Sequence, residues 1–316
     1  MRIAVMGTGG VGGYFGAKLA AGGCDVTFIA RGAQLRAIRD RGLVIESELS
    51  PLRLERAAAT DDPASVAPPE IILFCVKLWD VEEAARAMRP MVGEATAVIP
   101  LQNGIDSGQR IAAIVGHAPV MGGVAHISAT VTAPGVIRHT GKLQRLTFGE
   151  MDGRRSARAE AFLEACTRAG IDGRLSTRIE EAVWDKFIFL VAFSGMTALM
   201  RIGIGPIRED AETFAMFRAA MEEALAVARA KGVAFGYEPI GQWVKAIAAM
   251  PHDYRSSMLE DLERGRRLEL PWLSAAVARM GEQLGVATPV NRFIATALKL
   301  HADPAPSSGH EAPRRS

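Results

Sequence analysis

A glycine-rich turn, Gly7-Thr8-Gly9-Gly10-Val11-Gly12, separates an apolar run over Arg2–Met6 from a helical pattern over Gly10–Ala21. Each glycine in that spacing has a physical task. Gly7 permits the tight turn, Gly9 lets the backbone approach a pyrophosphate, and Gly12 allows the helix to pack closely on the strand. Phosphates bound there face the N–H groups at a helix N-terminus. The glycine spacing alone is weak; its place directly between a strand and a helix makes it a dinucleotide-binding signature.

The chain continues in the same alternation. Asp25–Ala30, Ile71–Val76 and Ala97–Leu101 read as strands, while Gln34–Arg41, Val81–Arg89 and Ser107–Ile114 read as helices. Gly42 suits a left-handed cap. Continuous apolar strands between amphipathic helices predict an α/β fold, a doubly wound parallel sheet of Rossmann type. From residue 120 the pattern changes. Val120–Ala129, Gly135–His139 and Leu143–Phe148 read as strands with no helix between them, an antiparallel extension of the sheet. After a helix at Ala157–Ala169, the apolar period is helical almost to the end. The expected domains are therefore 1–177, a dinucleotide-binding Rossmann domain, and 178–302, a mostly helical second domain. A tail at 303–316, rich in Pro, Ser and charge, reads as disordered.

The bulk numbers narrow the function. A net charge of +2 with scattered Lys and Arg gives no basic surface for nucleic acid and no polybasic membrane patch. No leader is expected, because the apolar run Ile3–Val5 meets glycines at once. The stretch Phe187–Met200 is too short to span a bilayer and reads as a buried helix. Cys24, Cys75 and Cys166 lack metal-type spacing and read as reduced thiols of a cytoplasmic protein. No metal site is expected. A helical second domain with apolar faces leaves a homodimer and a self-packed monomer both open.

The second strand ends Ile29-Ala30-Arg31. NAD enzymes usually place Asp or Glu there for the ribose 2′-hydroxyl; an arginine can instead grip a 2′-phosphate, so NADP(H) is the expected cofactor. Further polar residues sit beyond the C-terminal ends of strands, where such folds build their sites. Lys77 follows Val76, and Gln102-Asn103-Gly104 follows Leu101. Lys186 heads the apolar helix, with Leu190, Ser194 and Thr197 on the same face. Ser256-Ser257-Met258 opens a later helix, where Ser257 could cap with Glu260 as capping-box partner, and Glu269 precedes Pro271.

Together with Val76-Lys77-Leu78-Trp79, Trp184-Asp185-Lys186, Thr197-Ala198-Leu199 and Ser256–Asp261, these motifs resemble the ketopantoate reductases (2-dehydropantoate 2-reductases) over most of the chain. The resemblance implies NADPH-dependent reduction of 2-dehydropantoate to pantoate, a step toward pantothenate and coenzyme A. It implies that Lys186 is the general acid and that Glu269 binds a substrate hydroxyl and assists the lysine. Asn103 would orient substrate and nicotinamide, Lys77 would lie near both, and Ser257 would meet the substrate carboxylate. Family members carry asparagines one and two turns beyond the lysine; here those substrate-facing positions are Leu190 and Ser194. A leucine cannot hydrogen-bond a hydroxyl, which opens a second reading, a reductase of a more apolar oxo acid. A third is a non-catalytic NADP(H)-binding sensor, against which Lys186 and Glu269 both count.

Overall fold

The computed structural model describes residues 1–303. It divides into two compact units, Met1–Val183 and a second from Trp184 onward. The division falls inside the long helix rather than at 177/178, and the expected tail lies, from residue 304, outside the described residues.

The first unit begins β1 (Arg2–Met6), α1 (Gly10–Ala21), β2 (Asp25–Ile29) and α2 (Gly32–Arg41). There follow β3 (Leu43–Ser47), β4 (Leu52–Leu54), β5 (Ala58–Thr60), β6 (Ile71–Phe74), α3 (Val81–Met88), β7 (Ala97–Pro100) and α4 (Ser107–Val115). It closes with β8 (Gly122–Ala133), β9 (Val136–Gly149), α5 (Ala157–Arg168) and β10 (Asp172–Leu175). The main sheet is parallel in the order β5-β2-β1-β6-β7.

Alternation along these strands sorts side chains onto two faces. Ile3, Val5, Phe28, Ile71, Leu73 and Ile99 pack with α1, α5 and the inner face of a second sheet. Ala4, Met6, Ile29, Ile72, Phe74 and Val98 pack instead against α3 and α4. Both faces are thus dry, which is why β6 and β7 are apolar at every position.

The antiparallel hairpin expected after residue 120 is present, with two corrections. It does not widen the parallel sheet but founds a second one, ordered β10-β9-β3-β4 with β8 on β9, touching the first at a bridge between Val98 and Val120. The two strands expected at Gly135–His139 and Leu143–Phe148 are one continuous strand, β9, because β8 pairs along both stretches. Gly42 closes α2 with φ 76° and ψ −154°, a glycine-only conformation outside the left-handed helical well.

The second unit is helical. Helix α6 (Ile179–Met200) leads into it and is followed by α7 (Ile204–Glu209), α8 (Ala211–Ala230), α9 (Pro239–Ala248), α10 (Ser257–Glu263), α11 (Ser274–Leu284) and α12 (Pro289–Leu298). With its first two turns included, α6 is 22 residues, long and apolar enough to cross a membrane, which corrects the expectation of a short stretch. Its most apolar window is 67% buried within the protein, the pattern of a core helix.

Candidate active site

In the first unit the glycine turn is built as its sequence requires. Gly7 has φ 98°, and a Cβ there would lie 2.8 Å from the Val76 nitrogen. Gly12 sits against the Gly7 carbonyl and Cys75, whereas a Cβ on Gly9 would meet nothing within 4 Å. Close packing and ligand approach therefore fall to different glycines. No side chain caps α1 at Gly9, so the amides of Gly10, Val11 and Gly12 are presented to an anion. The turn is held from below. Thr8 is buried and its hydroxyl donates to the Ile29 carbonyl at 3.0 Å. Gln34, which sequence patterns do not single out, donates to the Thr8 carbonyl at 3.1 Å and accepts from Gly135 N at 2.8 Å. One amide thus ties the turn to the β8–β9 connection. These features fit a dinucleotide pyrophosphate.

Arg31 is the extended N-cap residue of α2, and its side chain is largely exposed. It forms an ion pair with Glu83 of α3, Nη2 to Oε1 at 2.9 Å.

Lys77 and Asn103 follow adjacent strands, and Gln102 fixes their spacing. Its Nε2 donates to the carbonyls of Phe74 at 2.9 Å and Val76 at 3.1 Å, stitching the end of β7 to the end of β6. Lys77 is exposed, with Nζ 5.5 Å from the Trp79 ring centre, and Asn103 is half-buried. Arg110 of α4 secures the turn after Lys77. It donates to the Leu78 carbonyl at 2.8 Å and holds Glu82 through Nε at 2.6 Å and Nη2 at 2.7 Å. Those hydrogen bonds keep the Glu82 carboxyl below its usual range. Arg110→Met is expected to destabilise the protein by about 1–3 kcal/mol, since the Leu78 carbonyl and Glu82 lose their donor. A lower urea midpoint at unchanged slope would show it.

In the second unit, Lys186 and Glu269 act on each other. Lys186 is half-buried, and Glu269 is buried at the 3₁₀ turn leading to α11. Burial pulls the Lys186 ammonium from 10.5 down to about 8, with the Glu269 carboxylate pushing the other way. A lysine near 8 can give and retake a proton at neutral pH. On the same face of α6, Leu190 is half-buried and Ser194 is buried. The adjoining face is braced by stacked rings. Trp243 lies 4.3 Å from Phe189, Phe189 5.2 Å from Phe193, and Phe193 5.4 Å from Tyr254. Trp243 Nε1 also donates to the Asp185 carbonyl at 3.0 Å, beside Lys186.

Ser257 is exposed in the first turn of α10, and it is not the cap. Ser256 caps the helix, accepting from Leu259 N at 3.1 Å, and its hydroxyl meets Thr197 Oγ1 at 2.7 Å. The capping box expected with Glu260 is therefore absent, because the cap lies one residue earlier. Neither the Thr197–Ser256 pair nor Trp243–Asp185 leaves a local signal, since each joins elements distant in sequence.

Comparison with known proteins settles the lineage. The family model described as ketopantoate reductase PanE/ApbA matches residues 3–153, and its C-terminal counterpart matches 178–302. The chain belongs to the ketopantoate reductase family. It is 33% identical to a 2-dehydropantoate 2-reductase of Mesorhizobium japonicum, covering 92% of this chain and 94% of that protein. A namesake from Archaeoglobus fulgidus is 32% identical, over 93% and 95% of the two chains. The crystal structure of 2-dehydropantoate 2-reductase from Geobacter metallireducens superposes with a TM-score of 0.89 at 29% identity, covering 95% and 99%. This family member is thus an oxidoreductase acting on a small molecule, of a family that uses NAD(P). Among the described residues no three His, Cys, Asp or Glu side chains gather as a metal site.

Proposed function

We propose that the protein reduces 2-dehydropantoate to pantoate with NADPH, in the cytoplasm, as a step of pantothenate and coenzyme A synthesis. The observation that carries this reading is Lys186, a half-buried lysine brought to about 8 and coupled to buried Glu269. When bound, NADPH would supply the hydride for the 2-oxo carbon and be oxidised to NADP⁺. The rest falls to the chain. Gly9 and the first amides of α1 would hold the pyrophosphate, Arg31 would hold the 2′-phosphate, and Lys77 and Asn103 would orient the reacting groups. As negative charge grows on the 2-oxo oxygen, the Lys186 ammonium stabilises it and delivers the proton that completes the hydroxyl. Glu269 keeps Lys186 charged and accepts a substrate hydroxyl. Ser194 and Ser257 supply further hydroxyls to the substrate.

A second reading, reduction of a more apolar oxo acid, is favoured by Leu190 on the Lys186 face. Loss of nicotinamide absorbance with NADPH and a panel of 2-oxo acids separates the two. Turnover of 2-dehydropantoate with a micromolar to millimolar KM supports the first. Turnover confined to acids without a hydroxyl supports the second. Leu190→Asn is expected to raise kcat/KM for 2-dehydropantoate over its deoxy analogue by roughly tenfold or more, through one restored hydrogen bond. An unchanged ratio in the same assay would remove Leu190 from the substrate's surroundings.

A further inference from the structure

The end of β2 carries no acidic residue, only Ile29-Ala30-Arg31, yet a carboxylate does reach this place from another element. Glu83, in the first turn of α3, lies 2.9 Å from Arg31 Nη2. Its neighbour Glu82 is already held by two nitrogens of Arg110, so the two adjacent carboxylates have separate partners. Arg31 and Glu83 are both largely exposed, with side-chain exposures of 67% and 64%. The pair therefore adds little to stability, and its effect is on what Arg31 can bind.

We propose that Glu83 is a specificity-determining residue, a counter-charge on Arg31 that weakens preference for a 2′-phosphorylated dinucleotide over its 2′-hydroxyl form. This rests on the reading of Arg31 as the 2′-phosphate contact. A 2′-phosphate carries close to two negative charges and, seated on the guanidinium, must lie within a few ångströms of the Glu83 carboxylate. It also shares the guanidinium with that carboxylate, which already accepts from Nη2. A 2′-hydroxyl is neutral and can donate to Glu83, so it meets no such repulsion. The carboxylate that an NAD-type fingerprint places at the end of β2 is supplied here from α3.

The test is calorimetric titration of the full-length protein and of the variants Glu83→Gln and Arg31→Ala. The probes are adenosine 2′,5′-bisphosphate and adenosine 5′-monophosphate. Glu83→Gln is expected to bind the bisphosphate roughly three- to tenfold more tightly, with the monophosphate unchanged or weaker, and the gain should shrink at high salt. The kcat/KM ratio for NADPH over NADH should rise by a similar factor. If Arg31→Ala weakens the bisphosphate while Glu83→Gln leaves its affinity unchanged or reduces it, the role of Glu83 is overturned and Arg31 stands. If Arg31→Ala leaves bisphosphate affinity unchanged, the Arg31 reading fails, and the proposal falls with it.

Discussion

Lys186→Ala is expected to lower kcat for oxo-acid reduction by about a hundred- to ten-thousandfold, the span typical of a lost general acid. Binding of NADPH, followed by its fluorescence, should change little, because the glycine turn, Thr8 and Gln34 that shape the nucleotide site belong to the first unit. Lys186→Arg sharpens the experiment. Arginine keeps the positive charge but does not surrender its proton in a protein. If proton delivery is the main contribution, the arginine variant stays nearly as slow as the alanine variant. If charge alone matters, it recovers most of the rate. An alanine variant within about tenfold of the parent would remove Lys186 from the role of acid.

The second large effect concerns Glu269. With Lys186 as the proposed acid, reduction needs it protonated, so the rate should hold below about pH 8 and fall as pH rises through that value. Oxidation of the hydroxy acid needs the neutral amine and should rise through the same value. Glu269 opposes the burial that depresses Lys186. Glu269→Gln removes that attraction, so the Lys186 ammonium loses its proton more easily and the falling limb of the reductive profile moves to lower pH. In the proposed site the substrate hydroxyl would also lose an acceptor, and kcat/KM near pH 8 should drop by roughly ten- to a hundredfold. A limb that stays in place, or moves to higher pH, would show that the carboxylate does not act on Lys186.

Much of the fold was legible in the sequence because its signals are local. The helix over Gly10–Ala21 follows from the glycines before it, and β6 and β7 follow from unbroken apolar runs. The hairpin β8–β9 was legible as strands, but the separate sheet built around it was not. Strand β4 is three residues, too short to show a period, and β3 is ordered by β9. One contact of that pairing, Ser47 Oγ to His139 Nδ1 at 2.8 Å, joins residues 92 apart in sequence. The site divides in the same way. Its residue types could be read as candidates one by one, but the depressed basicity of Lys186 comes from burial, which only tertiary structure supplies. Glu83 carries no signal in the sequence, because an acidic residue early in a helix has an ordinary reason to be there, the helix dipole. Gln34 and Arg110 look like surface residues in sequence and act as clamps only once distant backbone is brought to them.

The proposed activity is NADPH-dependent reduction of 2-dehydropantoate with Lys186 as the acid. Its most direct test is kcat/KM for 2-dehydropantoate, measured by NADPH oxidation from about pH 6 to about pH 10, bracketing the lysine. The expected result is turnover with a single falling limb near pH 8. No NADPH oxidation at any pH, or a rate that stays flat across this range, would contradict it.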